Sequence, residues 1–229
     1  TGEGKIFMAA PLQEEDLLHR AVEMESGSWN REKGMITGML EKRVGNIVLS
    51  ARPLAKIPDT LRIKILCEAL REEGLKLLDW GEAQEAWQAR VLSLRAWRKE
   101  EEWPNVESEN LLRTAGEWLA PYLTNVTKRQ DFYRLELDNI LSGILPWNLG
   151  NKLDQLAPAR LPVPSGSMIK LKYSATGGPP VMEVRLQEVF GLLETPTVNE
   201  GRNKVLLHLL SPGYKPVQVT QDLKSFWQT

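Results

Sequence analysis

Cysteine is almost absent from this sequence. Cys67 stands alone among 229 residues. No disulfide can form within the chain, which fits a reducing compartment and sets a cytoplasmic location as the expectation. Histidine is nearly as scarce, with His19 and His208 far apart. A zinc centre needs clustered Cys or His ligands, so no metal site is expected. There is no apolar run of about 18 residues, which predicts no transmembrane helix and no membrane partner. The first residues, Thr1-Gly2-Glu3-Gly4-Lys5, lack both an initiator Met and the apolar stretch of a signal peptide; they read as the start of a piece cut from a longer chain. A phosphate-gripping loop needs spaced glycines ahead of Lys and then Ser or Thr, but Gly4-Lys5 is followed by Ile6. Ser165-Gly166-Ser167 lacks the glycine frame of a hydrolase elbow and reads as a turn. Excess charge is missing as well. Lys and Arg number 29 against 30 Asp and Glu, for a net charge of −1. Binding to nucleic acid by bulk electrostatics is therefore excluded, and any such contact must be local.

What is present is an ordinary globular composition, 42% hydrophobic and 26% charged. Residues 1 to about 56 are β-rich. Lys5–Ala10 is a strand candidate, Gln13–Ala21 a short helix, and Ser28–Arg31 and Met35–Arg43 are strands turning at Gly34. Gly45-Asn46, ahead of Ile47-Val48-Leu49, is a hairpin signal. From Pro58 to about residue 157 the pattern is helical. Leu61, Ile65, Leu66, Ala69 and Leu70 form one stripe, and Trp80, Ala83, Trp87, Val91, Leu94 and Trp97 a second. A third runs from Ser108 through Leu111, Leu112, Ala115 and Trp118 to Leu119, and a fourth from Phe132 to Ile144. Short connections between such stripes predict a bundle with Leu66, Trp87, Leu94, Leu112 and Ile140 in its core. Residues 159–229 turn to short strands at Met168–Tyr173, Val181–Leu186, Lys204–Leu210 and Pro216–Val219, with Thr220 or Asp222 capping a last helix.

The carboxylate runs Glu14-Glu15-Asp16, Glu72-Glu73 and Glu100-Glu101-Glu102 read as solvated faces. Of the eight tryptophans, Trp80, Trp87, Trp97 and Trp118 lie on apolar stripes and read as core. Trp29, Trp103, Trp147 and Trp227 fall near turns or segment ends, where an indole is free to stack on a base or fill a partner's pocket.

The last third carries a long ordered resemblance. Leu161-Pro162-Val163-Pro164-Ser165-Gly166-Ser167, Ile169–Tyr173, Pro179-Pro180-Val181 and Val184–Gly191 resemble the C-terminal extension of the bacterial HrpB helicases. So do Val205–Pro212, Pro216–Leu223 and Phe226-Trp227. Upstream, Ala10-Pro11-Leu12, Leu49–Leu54 and Trp118–Leu123 are similar to the same family, so the likeness covers essentially the whole chain. These are DEAH-type RNA helicases. The resemblance implies that residues 1–56 are the later strands of an OB-like fold, and that ATP and Mg belong to motor domains outside this sequence. The family's first OB strands, and its basic stretch after Phe-Trp, have no counterpart here.

The expected fold class is α+β: a partial OB-like β-rich segment at 1–56, a helical bundle at 57–158 and a small α+β module at 159–229. No catalytic residue and no cofactor is expected within the chain. The function expected is an accessory role in positioning RNA for motor domains in cis. The candidate contacts are Arg31, Lys33, Lys42 and Arg43 in the β-rich start, and Lys170, Lys172, Arg185 and Lys204 in the last module. Strand alternation puts Lys170 and Lys172 on one face, about 7 Å apart, with Arg185 or Lys204 on neighbouring strands. From residue 160 onward, eight basic residues face five acidic ones. Between 57 and 159, 13 basic residues face 17 acidic ones, a balance better suited to a protein partner. The alternative is therefore a protein-interaction or scaffold module of the same helicase.

Overall fold

A computed structural model describes residues 19–228. The strand expected at Lys5–Ala10 and nearly all of the helix expected at Gln13–Ala21 lie outside those residues. The architecture is α+β, as expected, with an antiparallel sheet, a helical middle and a mixed sheet.

β1 (Val22–Asn30), β2 (Met35–Val44) and β3 (Ile47–Pro53) form an antiparallel meander. β1 starts six residues earlier than Ser28, because its polar Glu-Met-Glu-Ser segment is held by cross-strand register with β2 rather than by its own β propensity. Gly27 and Gly38 face each other across that ladder. A Cβ on Gly27 would meet Ile65 Cδ1 at 2.6 Å, and one on Gly38 would meet Ile57 Cγ1 at 2.6 Å. The missing side chains let the sheet lie directly on the chain that follows. That chain is α1 (Asp59–Glu73), then a 3₁₀ turn at Leu75–Leu77, then α2 (Glu82–Trp97). α2 opens with Glu82 and Glu85 in its first turn, where carboxylates suit the helix dipole, and the Gln84 side chain accepts from Gly81 N–H at 3.0 Å.

The two long helices follow the first two apolar stripes. The third and fourth stripes break into short turns: α3 (Ser108–Arg113), α4 (Ala115–Trp118), a 3₁₀ turn at Ala120–Tyr122, α5 (Arg129–Phe132) and α6 (Leu137–Ser142). Thr114 interrupts the third by bonding its hydroxyl back to Asn110 O at 2.8 Å. α7 (Trp147–Gly150) and α8 (Leu153–Leu156) complete the middle. One core runs from Ile36 through Leu66, Leu94, Leu111, Phe132 and Ile140 to Ala157, with Trp87 and Leu112 packed on it half-buried. Trp103, placed near a turn by sequence, is instead 1% exposed in this core, its Nε1 donating to Glu101 at 2.9 Å.

The last module holds β4 (Arg160–Pro162), β5 (Met168–Lys172), β6 (Val181–Arg185), a 3₁₀ turn at Leu186–Val189, β7 (Thr197–Val198), β8 (Asn203–Lys204), β9 (Leu206–Leu210), β10 (Pro216–Thr220) and α9 (Leu223–Trp227). Asp222 caps α9, accepting from Ser225 N–H at 3.1 Å. The mixed sheet has the order β10-β9-β6-β5-β4, and β6 and β9 run parallel. A second core, with Leu171, Met182, Val184, Leu207, Leu209 and Leu223, lies on one side of this sheet. α2 joins the two cores. Trp97 packs on both, and its Nε1 donates to Gly177 O at 2.6 Å, while Ser93 Oγ donates to Ser174 O at 2.8 Å. Arg98, 8% exposed at its side chain, reaches Glu101, Asn199 and Glu200.

Candidate nucleic-acid interface

The eight basic candidates fall into separate places. Arg31 and Lys33 sit in the turn between β1 and β2. Lys42 and Arg43 lie toward the other end of β2, paired in register with Glu23 and Val22. At about 3.3 Å per strand residue the two pairs are some 25 Å apart, and Lys42 and Arg43 point to opposite faces. The β-rich segment thus gathers no patch from its four candidates. Arg31 is bound to Glu72 at 2.7 Å, and Arg43 lies 3.5 Å from Glu41.

The mixed sheet does better. Lys170 and Lys172 alternate with the buried Leu171 on β5 and stand together on the open face, as strand periodicity predicts. Register sets Arg160 of β4 directly beside Lys170, so three cations share two adjacent strands. Extending the β5–β6 register carries Glu183 and Arg185 onto the same face. Glu183 is in turn paired with His208 on β9, and Arg185 with Leu210. Arg160 and His208 were not among the sequence candidates. Arg160 precedes a Pro-rich stretch that masked its strand, and His208 gains its place only through the parallel β6–β9 pairing. Lys204 does not join this face. It lies on β8, which pairs with β7 in a sheet of two strands, because the chain reaches β9 only at Leu206.

Carboxylates meet three of the four cations on this face. Lys170 donates to Glu82 in the first turn of α2, which holds that carboxyl below its ordinary range. Lys172 pairs with Glu183 at 2.8 Å. Arg185 pairs with Glu188 at 3.1 Å, which holds the Glu188 carboxyl below its ordinary range, and lies 5.5 Å from the Tyr214 ring centroid. The two lysine pairs are exposed to solvent, so a phosphate can exchange with their carboxylates at little cost. Behind the face, the Tyr173 hydroxyl donates to Pro158 O at 2.8 Å, and burial pushes its phenol pKa up. That bond anchors the chain two residues before Arg160. Among the described residues, no group of three or more His, Cys, Asp or Glu has the arrangement of a metal site, and no helix is long and apolar enough to cross a membrane.

Comparison with known proteins gives consistent matches. Residues 118–229 match the family model described as ATP-dependent helicase C-terminal. The chain is 31% identical over 230 residues to the ATP-dependent RNA helicase HrpB of Escherichia coli (strain K12), covering 99% of this chain and 28% of that protein. The crystal structure of the E. coli DExH-box NTPase HrpB superposes with a TM-score of 0.75 at 32% identity, over 92% of this chain and 26% of that one. A crystal structure of the Escherichia coli DEAH/RHA helicase HrpB gives 0.72 at 29% identity, over 98% and 27%. The chain therefore spans little more than a quarter of the length of these relatives.

Proposed function

The chain belongs to the HrpB helicase family, as its C-terminal region, and from that premise we propose that it is a non-catalytic accessory of an ATP-dependent RNA helicase. It holds single-stranded RNA for motor domains supplied in cis, and the open face of β4 and β5 is the contact. ATP and Mg belong to those motor domains. The observation that carries this reading is the grouping of Arg160, Lys170 and Lys172 on one exposed strand pair. The two lysines lie about 7 Å apart along β5, close to the step between phosphates of an extended strand. The Met168 and Lys stems offer apolar footing between the charges.

The measurement is RNA affinity against salt for the chain and for the double variant Lys170→Gln/Lys172→Gln. Loss of two phosphate contacts should weaken binding to all sequences alike. It should also flatten the slope of log affinity against log salt by about 0.7 per contact, or about 1.4 together. An unchanged affinity and slope in a folded double variant refutes the contact. The pairing of Arg31, Arg43, Lys170, Lys172 and Arg185 with carboxylates favours a second reading, a protein-interaction module of the same helicase. Retention of a protein partner together with salt-independent, negligible RNA binding would decide for it.

A further inference from the structure

We infer that the cleft between α2 and the α7–α8 turns takes one unstacked nucleobase from the RNA strand whose phosphates cross the β4–β5 face. This rests on the RNA reading above. The cleft encloses about 420 Å³, with Trp87, Leu145, Trp147, Asn151 and Asp154 among its walls.

Three features match a base. Trp147 follows Pro146 at the start of α7 and is 82% exposed, so a broad flat indole borders the opening. Every base has a π-face for such a surface. Trp87, half-buried, adds a second indole to the wall, so a flat ring entering the cleft meets aromatic surface on more than one side. On the polar side, Asp154 binds Arg90 through Oδ1 while its side chain remains 89% exposed, leaving Oδ2 for an amino group. An aliphatic side chain would neither stack on the indoles nor satisfy the carboxylate.

Two links place the cleft beside the basic face. Arg90, in the cleft wall, donates through Nε to Ala157 O. Arg160 is three residues further on, at most about 11 Å along the chain. Independently, Glu82 holds Lys170, and Trp87 stands five residues on in the same helix, about 7.5 Å along its axis and about 140° around it. A strand lying over Arg160, Lys170 and Lys172 therefore passes close to the cleft, which lies round the flank of α2.

The test uses the full chain and a mixed-sequence single-stranded RNA decamer. Indole N–H resonances, assigned with Trp87→Phe and Trp147→Phe, are followed by NMR during titration, and affinity is measured by anisotropy. RNA should move both indole signals. Trp147→Ala should weaken binding about 5- to 150-fold, the range implied by a stacking contact of about 1–3 kcal/mol. The salt slope should stay as in the parent chain, because no phosphate contact is removed, and Trp147→Phe should recover most of the affinity. Trp147 is so exposed that its replacement leaves the fold intact, checked by the remaining amide spectrum. If RNA shifts β4–β5 amides but neither indole, or if Trp147→Ala binds as before, the cleft assignment fails and the RNA reading stands. If RNA shifts nothing, both fail. If an acetylated Leu-Trp-Leu amide moves the two indoles and RNA does not, the cleft is a peptide site and the proposal is overturned.

Discussion

Replacing Arg98 by Met should loosen the joint between the two cores without altering either one. The apolar stem is kept, so the change isolates the guanidinium. Nη1 donates to Asn199 Oδ1 at 2.9 Å and to Glu200 at 3.1 Å, and Nη2 donates to Glu101 at 2.7 Å. The three losses are unequal. Glu200 is half exposed and is rehydrated almost freely. Glu101 keeps the Trp103 indole as donor but loses a charge-assisted bond. Asn199 is 1% exposed, so its carbonyl oxygen is stranded, which costs about 1–3 kcal/mol. Together the variant should lose about 2–4 kcal/mol, less than the ~3–5 kcal/mol of breaking a fully buried pair. For a chain of this size that lowers Tm by about 4–16 °C. Urea unfolding should show the midpoint falling, with the last module opening ahead of the helical core. The pH dependence follows from Glu101, whose carboxyl is held low by Arg98 first and by the Trp103 indole as well. A depressed carboxyl contributes in full above its unfolded value of about 4.3, and that contribution is lost as pH falls through the lower folded value. The gap between parent and variant should therefore narrow in acid. A variant within about 0.5 kcal/mol of the parent, or a gap that does not shrink below pH of about 4, would show that the Arg98 guanidinium does not hold the joint.

Gly177 takes φ +76 and an added Cβ would lie 2.6 Å from Ala96 Cβ, so Gly177→Ala should cost about 1–3 kcal/mol and weaken the Trp97 bond, read as a lower urea midpoint. The purified chain should neither bind nor hydrolyse ATP in the presence of RNA; measurable RNA-stimulated phosphate release would contradict the reading of its sequence.

Much of this fold is written in local pattern. α2 was legible because Val91 and Leu94 recur at helical spacing with acidic residues at the start. β5 was legible because Lys170, Leu171 and Lys172 alternate without interruption, and α9 because Asp222 stands where a cap is needed. The third and fourth stripes misled, since apolar spacing persists across chain breaks: Phe132 and Leu137 share a core although Tyr133–Glu136 turns between α5 and α6. The candidate interface was legible only in part. Strand alternation gave Lys170 and Lys172 their common face. Their partners, Glu82 at a distance of 88 residues and Glu183 on the next strand, depend on tertiary register that no local pattern carries. The same holds for Arg160, made a neighbour of Lys170 by a three-residue strand.

The parallel pairing of β6 with β9 bears on the order of assembly. Val181 must wait for Leu206 and Arg185 for Leu210, each 25 residues later in the chain. Hairpins zip from their turns, but this pairing closes a long loop before any ladder bond rewards it. During synthesis β6 emerges with an open hydrogen-bonding edge and keeps it until Leu210 has left the ribosome. The excursion through β7 and β8, pinned by Arg98 at Asn199 and Glu200, shortens the effective search by holding the returning chain against the finished helical core. A nascent chain stopped before Leu206 therefore presents an unpaired strand, and with it a site for association with another copy.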